Sequence, residues 1–238
     1  NNYTLINVSI SETSILFNIY NIDLKYSTRI DNVSDVRVLS NAHTLNLSWC
    51  DNIIDVTPLC NIHTLNLQNC RGISDTSNIS ALGRVHTLNL SWCDNITDAS
   101  NISALGLVHT LNLSHCNGIT DVSALGNVHT LNLSWCNKII DVSALGHVHT
   151  LNLSYCNGIN DSSNISALRH VHTLDLSGIH RITDISGLDG VHTLFLTECH
   201  GISDVSALRH VHTLDLTGCE RITDYSNLSA LPSQYIHF

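Results

Sequence analysis

Histidine, cysteine and aspartate, three residue types that can bind metals or act in catalysis, recur along this 238-residue chain at nearly constant spacing. A His-Thr-Leu triplet starts at His43, His63, His86, His109, His129, His149, His172, His192 and His212. In eight of the nine copies a cysteine follows after seven residues, and in all nine an aspartate follows after twelve. Such a series could form metal sites, nucleophile–base pairs or a structural array.

The cysteines of this series favour a structural interpretation. They are Cys50, Cys70, Cys93, Cys116, Cys136, Cys156, Cys199 and Cys219. Zinc needs ligands that converge on one point, whereas stacked copies would hold their thiols in parallel, and one copy has Ile179 instead. Parallel Cβ vectors would also strain a disulfide. We predict buried thiols that pack as small hydrophobic groups, and we expect Cys60, outside the series, to be the most exposed thiol.

The aspartates admit two interpretations. They include Asp55, Asp75, Asp98, Asp121 and Asp141. A line of carboxylates could bind calcium, but calcium takes six to eight oxygen ligands and each copy supplies one carboxylate here. Each aspartate also precedes a short run such as Val-Ser-Ala-Leu, whose backbone N–H groups a side-chain oxygen would cap. Capping is therefore the preferred interpretation.

The histidines should stack about 5 Å apart if the copies stack as strands. Charged neighbours at that distance repel, so we expect lowered pKa values and an array that loses stability in acid. The alternative is that each ring only hydrogen-bonds its neighbour, with no switching role.

A catalytic arrangement has little support in the sequence. His86 and Asp98 should fall on opposite legs of one coil, so no nucleophile–base–orienter set is implied. The chain has neither a glycine-rich phosphate loop nor an HExxH motif. We predict a protein that is not an enzyme and that uses no cofactor or metal.

The spacing of the triplets identifies the elements that carry these residues. The triplets are 20 or 23 residues apart, and a degenerate copy begins at Tyr20, which makes ten units. Leu88 and Leu90 alternate with polar neighbours, as in a strand with one buried face. Stacked units would cover that face, with Thr87, Asn89 and Ser91 pointing outward. The three extra residues of the longer units, as in Thr-Ser-Asn-Ile-Ser-Ala-Leu, should lengthen a helical turn on the return leg.

The unit LxxLxLxxC followed by ITDVSAL resembles the cysteine-containing and internalin-like subclasses of the leucine-rich repeat family. The segment LGNVHTLNLSWC, together with ITDVSALG, is similar to the repeat sequences of proteins from large DNA viruses of amoebae, of the marseillevirus kind. The resemblance implies a leucine-rich repeat solenoid with a parallel sheet on its concave face and short helical or 3-10 turns on its convex face. It also implies a non-enzymatic binding or structural role.

The composition and the two chain ends bear on the partners, the domain boundaries and the compartment of the protein. A net charge of −10 with scattered basic residues argues against nucleic acid, and no apolar run is long enough to span a membrane. We expect an N-terminal cap over residues 1–19, a repeat array over 20–231, and a short lid or truncated repeat over 232–238. The C-terminal edge of the array is a candidate for self-association or docking. The unpaired thiols favour a reducing compartment or a viral particle, although a chain that begins at Asn1 is also compatible with a removed secretion signal.

Function should lie where the repetition fails, because identical units cannot specify one ligand. The residue before the cysteine is often aromatic, and Trp and Tyr often anchor interfaces. The strand positions change late in the chain, most clearly at Phe195. The predicted partner-binding residues are Trp49, Trp92, His115, Trp135, Tyr155, Phe195 and Glu198.

The sequence therefore predicts a protein–protein interaction module whose partner is a host or viral protein. The rings could instead cover core at the edge of the sheet. A structural component of a viral particle is the alternative function, and ice binding through the Thr/Asn/Ser face is a remote one.

Overall fold

The computed structural model describes residues 2–4, 20–27, 30, 37–74, 77–97, 102–161, 164–228 and 236–237, with only the backbone of 2–4 and 236–237. The chain forms two compact units, residues 1–118 (unit 1) and residues 119–238 (unit 2). Each unit is a stack of short parallel strands joined by returns that contain 3-10 turns.

Unit 1 contains six of the strands. They are β1 (Asn2–Thr4), β2 (Asn21–Asp23), β3 (Thr44–Asn46), β4 (Thr64–Asn66), β5 (Thr87–Asn89) and β6 (Thr110–Asn112). Each pairs in parallel with the next, so that threonine, leucine and asparagine lie opposite the same residue types from β3 to β6. Its 3-10 turns are Thr57–Leu59, Ile79–Arg84 and Ser103–Leu107.

Unit 2 repeats this arrangement. Its strands are β7 (Thr130–Asn132), β8 (Thr150–Asn152), β9 (Thr173–Asp175), β10 (Thr193–Phe195), β11 (Thr213–Asp215) and β12 (Ile236–His237). Its 3-10 turns are Ser123–Leu125, Ser143–Leu145, Ile165–His170, Ser186–Leu188, Ser206–His210 and Ser226–Leu228. The strands pair in parallel and in register, and β12 pairs with Leu214 and Asp215 of β11.

The core explains why the units stack. Leu88, Leu90 and Cys93 are at most 1% exposed, and Ile96 and Leu105 on the return leg are fully buried. One strand of three residues cannot cover this surface, but each stacked neighbour supplies the same side chains at the same position. The backbone N–H of the residue after each strand donates to the next repeat, as from Leu90 to the Asn112 carbonyl at 2.8 Å. The N–H of the first strand residue donates to the preceding repeat, as from Thr87 to the His63 carbonyl at 3.0 Å, and together these bonds fix the register.

The predicted fold class is confirmed: ten repeats contribute the parallel strands β2 to β11, and 3-10 turns lie on the return legs from Thr57–Leu59 onward. Two of the longer repeats have 3-10 turns of 6 residues, against 3 in most shorter ones. One detail was wrong. Ser91 does not point outward but is only 3% exposed, because the strand ends at Asn89 and the chain then turns over the core.

The chain ends lie mostly beyond these ranges. The predicted cap over residues 1–19 is outside the described residues except for the backbone of β1, and the predicted lid over 232–238 is outside them except for the backbone of β12.

Candidate partner-binding surface

A tight turn follows each strand and holds one residue at positive φ. This residue precedes the cysteine, and it is Trp49 at 66°, Trp92 at 63°, Trp135 at 64° and Tyr155 at 57°. Its backbone N–H continues the ladder, as where Trp92 donates to the Ser114 carbonyl at 2.9 Å. The left-handed conformation is therefore part of the repeat itself. Glycine adopts it most readily, and glycine occupies the same position at 178 and 218.

The aromatic side chains at this position project from the turns. We call Trp49, Trp92 and His115 the aromatic row of unit 1, and Trp135 and Tyr155 the aromatic row of unit 2. The three tryptophans are 43%, 44% and 40% exposed in chain order. Each row is thus partly buried between neighbouring turns and partly exposed to solvent.

Where two consecutive repeats of a row both carry a ring, the two rings stack. The Trp92 and His115 ring centroids lie 3.6 Å apart with nearly parallel planes, and those of Trp135 and Tyr155 lie 4.4 Å apart. Burial lowers the pKa of His115, although the charge of Asp94 acts in the opposite direction. Stacking covers part of the ring faces, and the rings remain partly exposed.

Tyr155 extends the row of unit 2 across one repeat. Its ring lies over Gly178, where a Cβ would overlap ring carbons. Its hydroxyl donates to Glu198 Oε2 at 3.2 Å. Burial and the nearby Glu198 carboxylate raise the pKa of Tyr155, so the phenol stays protonated at neutral pH. The structure thus brings Tyr155 and Glu198, two predicted site residues, together.

Phe195 lies apart from the aromatic rows, on a strand. In the other repeats the equivalent residue is asparagine or aspartate, whose Oδ1 accepts the N–H two residues on, as from Asn89 to Ser91 at 2.9 Å. Asp175 and Asp215, which flank Phe195 in register, make the same bond. Phenylalanine has no oxygen to do so. Phe195 is half-buried and places an aromatic ring between two carboxylates on the outward face.

The eight serial cysteines are buried, and all nine cysteines are thiols. Sγ of Cys93 lies 3.3 Å from the Leu67 carbonyl oxygen, and Sγ of Cys156 lies 3.0 Å from that of Leu133. Burial raises the pKa of Cys50 to about 11 and that of Cys93 to about 12. These thiols are therefore protonated, weak hydrogen-bond donors rather than nucleophiles. Cys60 is half-buried.

The aspartates bind the turns that follow them. Oδ1 of Asp121 and of Asp141 accepts the N–H of Ser123 and Ser143, each at 2.8 Å, and Asp55 does the same for Thr57 at 2.9 Å. Each carboxylate stands one residue before the N-cap, so the contact is an Asx turn rather than a cap. These hydrogen bonds lower the pKa of the aspartates. Asp75 and Asp98 lie outside the described residues.

The histidines form columns of stacked rings. In unit 1 the His63 and His86 centroids are 4.6 Å apart, and His86 and His109 repeat that distance. Nδ1 of His86 lies 3.3 Å from Oγ1 of the adjacent Thr87, and the other columns repeat this contact. Partial burial lowers the pKa of His86, and the neighbouring histidines lower it further.

Two negative findings concern the described part of the chain. Within it no group of three or more His, Cys, Asp or Glu side chains could hold a metal ion. None of its helices has the length and apolarity needed to cross a membrane.

Comparisons with known proteins agree with this architecture. A family model described as "Leucine Rich repeat" matches residues 85–100, 107–126, 147–163 and 207–224. The comparison with curated proteins finds no match.

Solved structures are similar over most of the chain. An internalin, InlF, from Listeria monocytogenes is 23% identical, with a TM-score of 0.64 over 95% of this chain and 75% of its own. The leucine-rich repeat protein LegL7 from Legionella pneumophila is 19% identical, with a TM-score of 0.54 over 83% and 82%. The yeast Rad7 and Elc1 complex contains a chain that is 16% identical, with a TM-score of 0.52 over 91% and 59%. At these identities the likeness shows the leucine-rich repeat fold.

Proposed function

We propose that this chain, which has the leucine-rich repeat fold, is a non-enzymatic interaction module that binds a protein partner through its aromatic rows and the outward face of its strands. Repeat solenoids characteristically bind through such extended surfaces. The structurally similar Rad7 was solved in a complex with Elc1, which is consistent with a protein as the partner.

The positive φ of the aromatic residues carries this proposal. A non-glycine residue held in the left-handed region costs about 1–3 kcal/mol, and such strain clusters at functional sites. Gly178 and Gly218 show that the fold accepts glycine at this position. Trp49, Trp92 and Trp135 nevertheless occupy it with the largest side chain available, and each leaves about two-fifths of its surface exposed.

A purely structural role for these rings explains less. Beneath Gly218, which has no side chain, Leu216 and Cys219 are still only 2% and 4% exposed, close to the fully buried Leu90 and Cys93 beneath Trp92. The turn therefore does not need a large side chain to seal the core. Stacking between Trp92 and His115 supplies some stability, but it leaves the outer edges of both rings facing solvent.

A second contact area is proposed around Phe195 and Glu198. Both residues differ from the repeat consensus, and they lie three positions apart. Phe195 lacks the side-chain oxygen with which Asp175 and Asp215 accept the backbone N–H two residues on. An aromatic ring beside carboxylates suits a partner segment that combines an apolar side chain with lysine or arginine.

The sequence also suggested a structural role in a viral particle and ice binding. A role in a viral particle stays a prediction. Ice binding is less favoured by the geometry, because the threonine hydroxyls that would order water lie 3.2–3.3 Å from histidine Nδ1 atoms.

The proposal is tested by affinity capture from extract of the source cells. The variant carries Trp49→Gly, Trp92→Gly and Trp135→Gly, which removes the rings while the backbone keeps a favourable residue. The matched control carries Ile54→Ala, Leu107→Ala and Ile140→Ala, which removes other exposed apolar side chains, 62%, 80% and 63% exposed. We expect the wild type and the control to capture the same protein and the glycine variant to lose it. Capture that is unaffected by the glycine substitutions, or no capture by the wild type, would overturn the proposal.

A further inference from the structure

Unit 2 carries two columns of opposite potential charge. The histidine column is His129, His149, His172, His192 and His212. In chain order, the centroids of successive rings lie 4.6, 4.7, 4.4 and 4.6 Å apart. The aspartate column is Asp121, Asp141, Asp161, Asp184, Asp204 and Asp224. All of these side chains except His172 and Asp161 repeat one local geometry, and all are exposed.

Residues near the histidine column add to the positive charge that it can carry. Nδ1 of His149 and of His192 faces the adjacent threonine hydroxyl at 3.3 and 3.2 Å, so Nε2 is the ring nitrogen that can carry a proton outward. The segments that lead from the 3-10 turns into these strands contribute further groups. They are His147, Arg169, His170, Asp189, Arg209 and His210, of which only Asp189 is acidic.

The aspartate column lines two grooves. One, of about 240 Å³, lies between Asp121 and Asp141 and includes Ser123 and Ser143. The other, of about 150 Å³, lies between Asp184 and Asp204. Lys138, Arg181 and Arg221 are nearby in sequence, but none of them lines either groove.

The two columns cannot pair within one molecule. Each histidine stands directly before a strand, and the aspartate twelve residues later stands before the 3-10 turn on the return leg. Both columns nevertheless contribute one side chain per repeat in the same order, and consecutive histidine rings lie 4.4–4.7 Å apart. Two copies that bring one histidine to one aspartate in register therefore align the remaining pairs as well.

We propose that a second copy of this chain is the partner of these columns: in mildly acidic solution, the histidine column of one copy docks along the aspartate column of another. Each exposed ion pair is weak alone. The shared period allows several pairs to form together, so their contributions combine within a single contact. Because the two surfaces differ, the contact is heterologous and can continue from copy to copy.

The pH dependence follows from the charges of the two columns. The aspartates are charged in mildly acidic solution, because their hydrogen bonds to Ser123, Ser143 and equivalent serines keep their pKa values below the ordinary range. Histidine is the side chain type whose unperturbed charge changes between about pH 8 and 5. Docking favours the protonated ring, so association should be absent at about pH 7.5 and strong near pH 5.5.

Sedimentation velocity of purified chain at about pH 7.5 and 5.5 tests the proposal. The apparent mass should correspond to the 26.1 kDa monomer at the first pH and rise at least twofold at the second. Raising the salt from about 0.1 to 0.5 M should reverse that rise, because exposed charges are screened. A wild type that remains monomeric at pH 5.5 would overturn the proposal.

A complementation experiment separates docking from precipitation near the pI of about 5.8. One variant carries His149→Gln, His172→Gln and His192→Gln. The other carries Asp141→Asn, Asp184→Asn and Asp204→Asn, which retains the Oδ1 acceptor for each serine N–H. Each variant should be monomeric at pH 5.5, whereas their mixture should form a complex of two chains, since each retains the column that the other lacks.

A control variant, His180→Gln with His200→Gln, removes a stacked pair of unit 2 that lies outside the column and whose Nδ1 atoms contact backbone carbonyl oxygens. It should associate like the wild type. Association of either single-column variant, or a mixture that stays monomeric, would overturn the proposal. Circular dichroism at pH 7.5 establishes that each variant is folded before it is compared.

Discussion

The Tyr155 hydroxyl donates a hydrogen bond to the Glu198 carboxylate at 3.2 Å, across the repeat in which Gly178 stands. The contact joins two positions 43 residues apart that both precede a cysteine. It is available only because the intervening repeat has no side chain at this position. Gly178, which interrupts the aromatic row, therefore allows Tyr155 to reach Glu198.

Substitution of this glycine should be more damaging than substitution of its equivalent. Gly178→Ala and Gly218→Ala both place a Cβ at positive φ, which costs about 1–2 kcal/mol. Only the Cβ at 178 would overlap the Tyr155 ring, whereas at 218 the nearest atom is Glu198 Cγ at 3.4 Å. Urea unfolding should show that Gly178→Ala loses roughly 1–3 kcal/mol more than Gly218→Ala. Equal losses would mean that the Tyr155 ring moves aside without cost.

The thiols should differ sharply in reactivity. Because burial raises the pKa of Cys93 to about 12, its thiolate is only about one part in ten thousand at pH 8, and the Sγ is also inaccessible. A chromogenic disulfide reagent should modify one of the nine cysteines, Cys60, in the folded protein and all nine after unfolding. Cys60→Ser should abolish the early reaction. Early modification of two or more thiols would contradict the burial of the series.

Acid should weaken the folded chain before the carboxylates titrate. The pKa values of His86 and His192 are lowered by partial burial and by the adjacent histidines. The unfolded chain thus binds these protons at higher pH than the folded chain. Their stabilising contribution is complete above about pH 6.5 and is lost as the pH falls through the lowered folded value.

The melting temperature, measured on a dilute monomeric sample, should therefore be lower at about pH 5 than at pH 7.5. A variant with His86→Gln and His192→Gln should show a smaller difference. An unchanged melting temperature of the wild type between these pH values would mean that stacking, rather than charge, governs the columns.

Asparagine at position 195 should stabilise the chain more than leucine at the same position. Phe195→Asn restores an Oδ1 acceptor for the N–H two residues on, the bond that Asn152 makes to Ser154 at 2.8 Å. A net gain of about 0.5–1.5 kcal/mol in the free energy of unfolding is expected relative to Phe195→Leu, which restores nothing. Equal stabilities of the asparagine and leucine variants would show that the turn at this repeat closes by other means.

The repeat period predicted the fold because it is dictated by burial. Leu88 and Leu90 alternate with polar residues, and only stacking in register can cover them, so strand order and pairing follow from the sequence alone. The same reasoning predicted the burial of the serial thiols, because a column of parallel side chains at the core edge cannot converge on a metal.

Turn geometry was harder to predict. The alternation stops at Asn89, where Oδ1 accepts the Ser91 N–H and the chain turns, so Ser91 is buried rather than outward-facing. Nothing in a two-residue periodicity marks that point. The positive φ of Trp92 did have a signal, namely glycine at the equivalent positions 178 and 218. The Asx turns at Asp121 and Asp141 were expected as caps, which use the same oxygen one residue later.

The binding affinity and the stability of a single variant, Trp92→Gly, test the central claim most directly. The purified captured partner is titrated against the wild type and the variant, and both chains are unfolded in urea. The account predicts that stability stays equal or rises by about 1 kcal/mol, as backbone strain is relieved, while affinity falls at least tenfold. A variant that loses stability and binds the partner as tightly as the wild type would contradict it, and would assign the ring to covering the core.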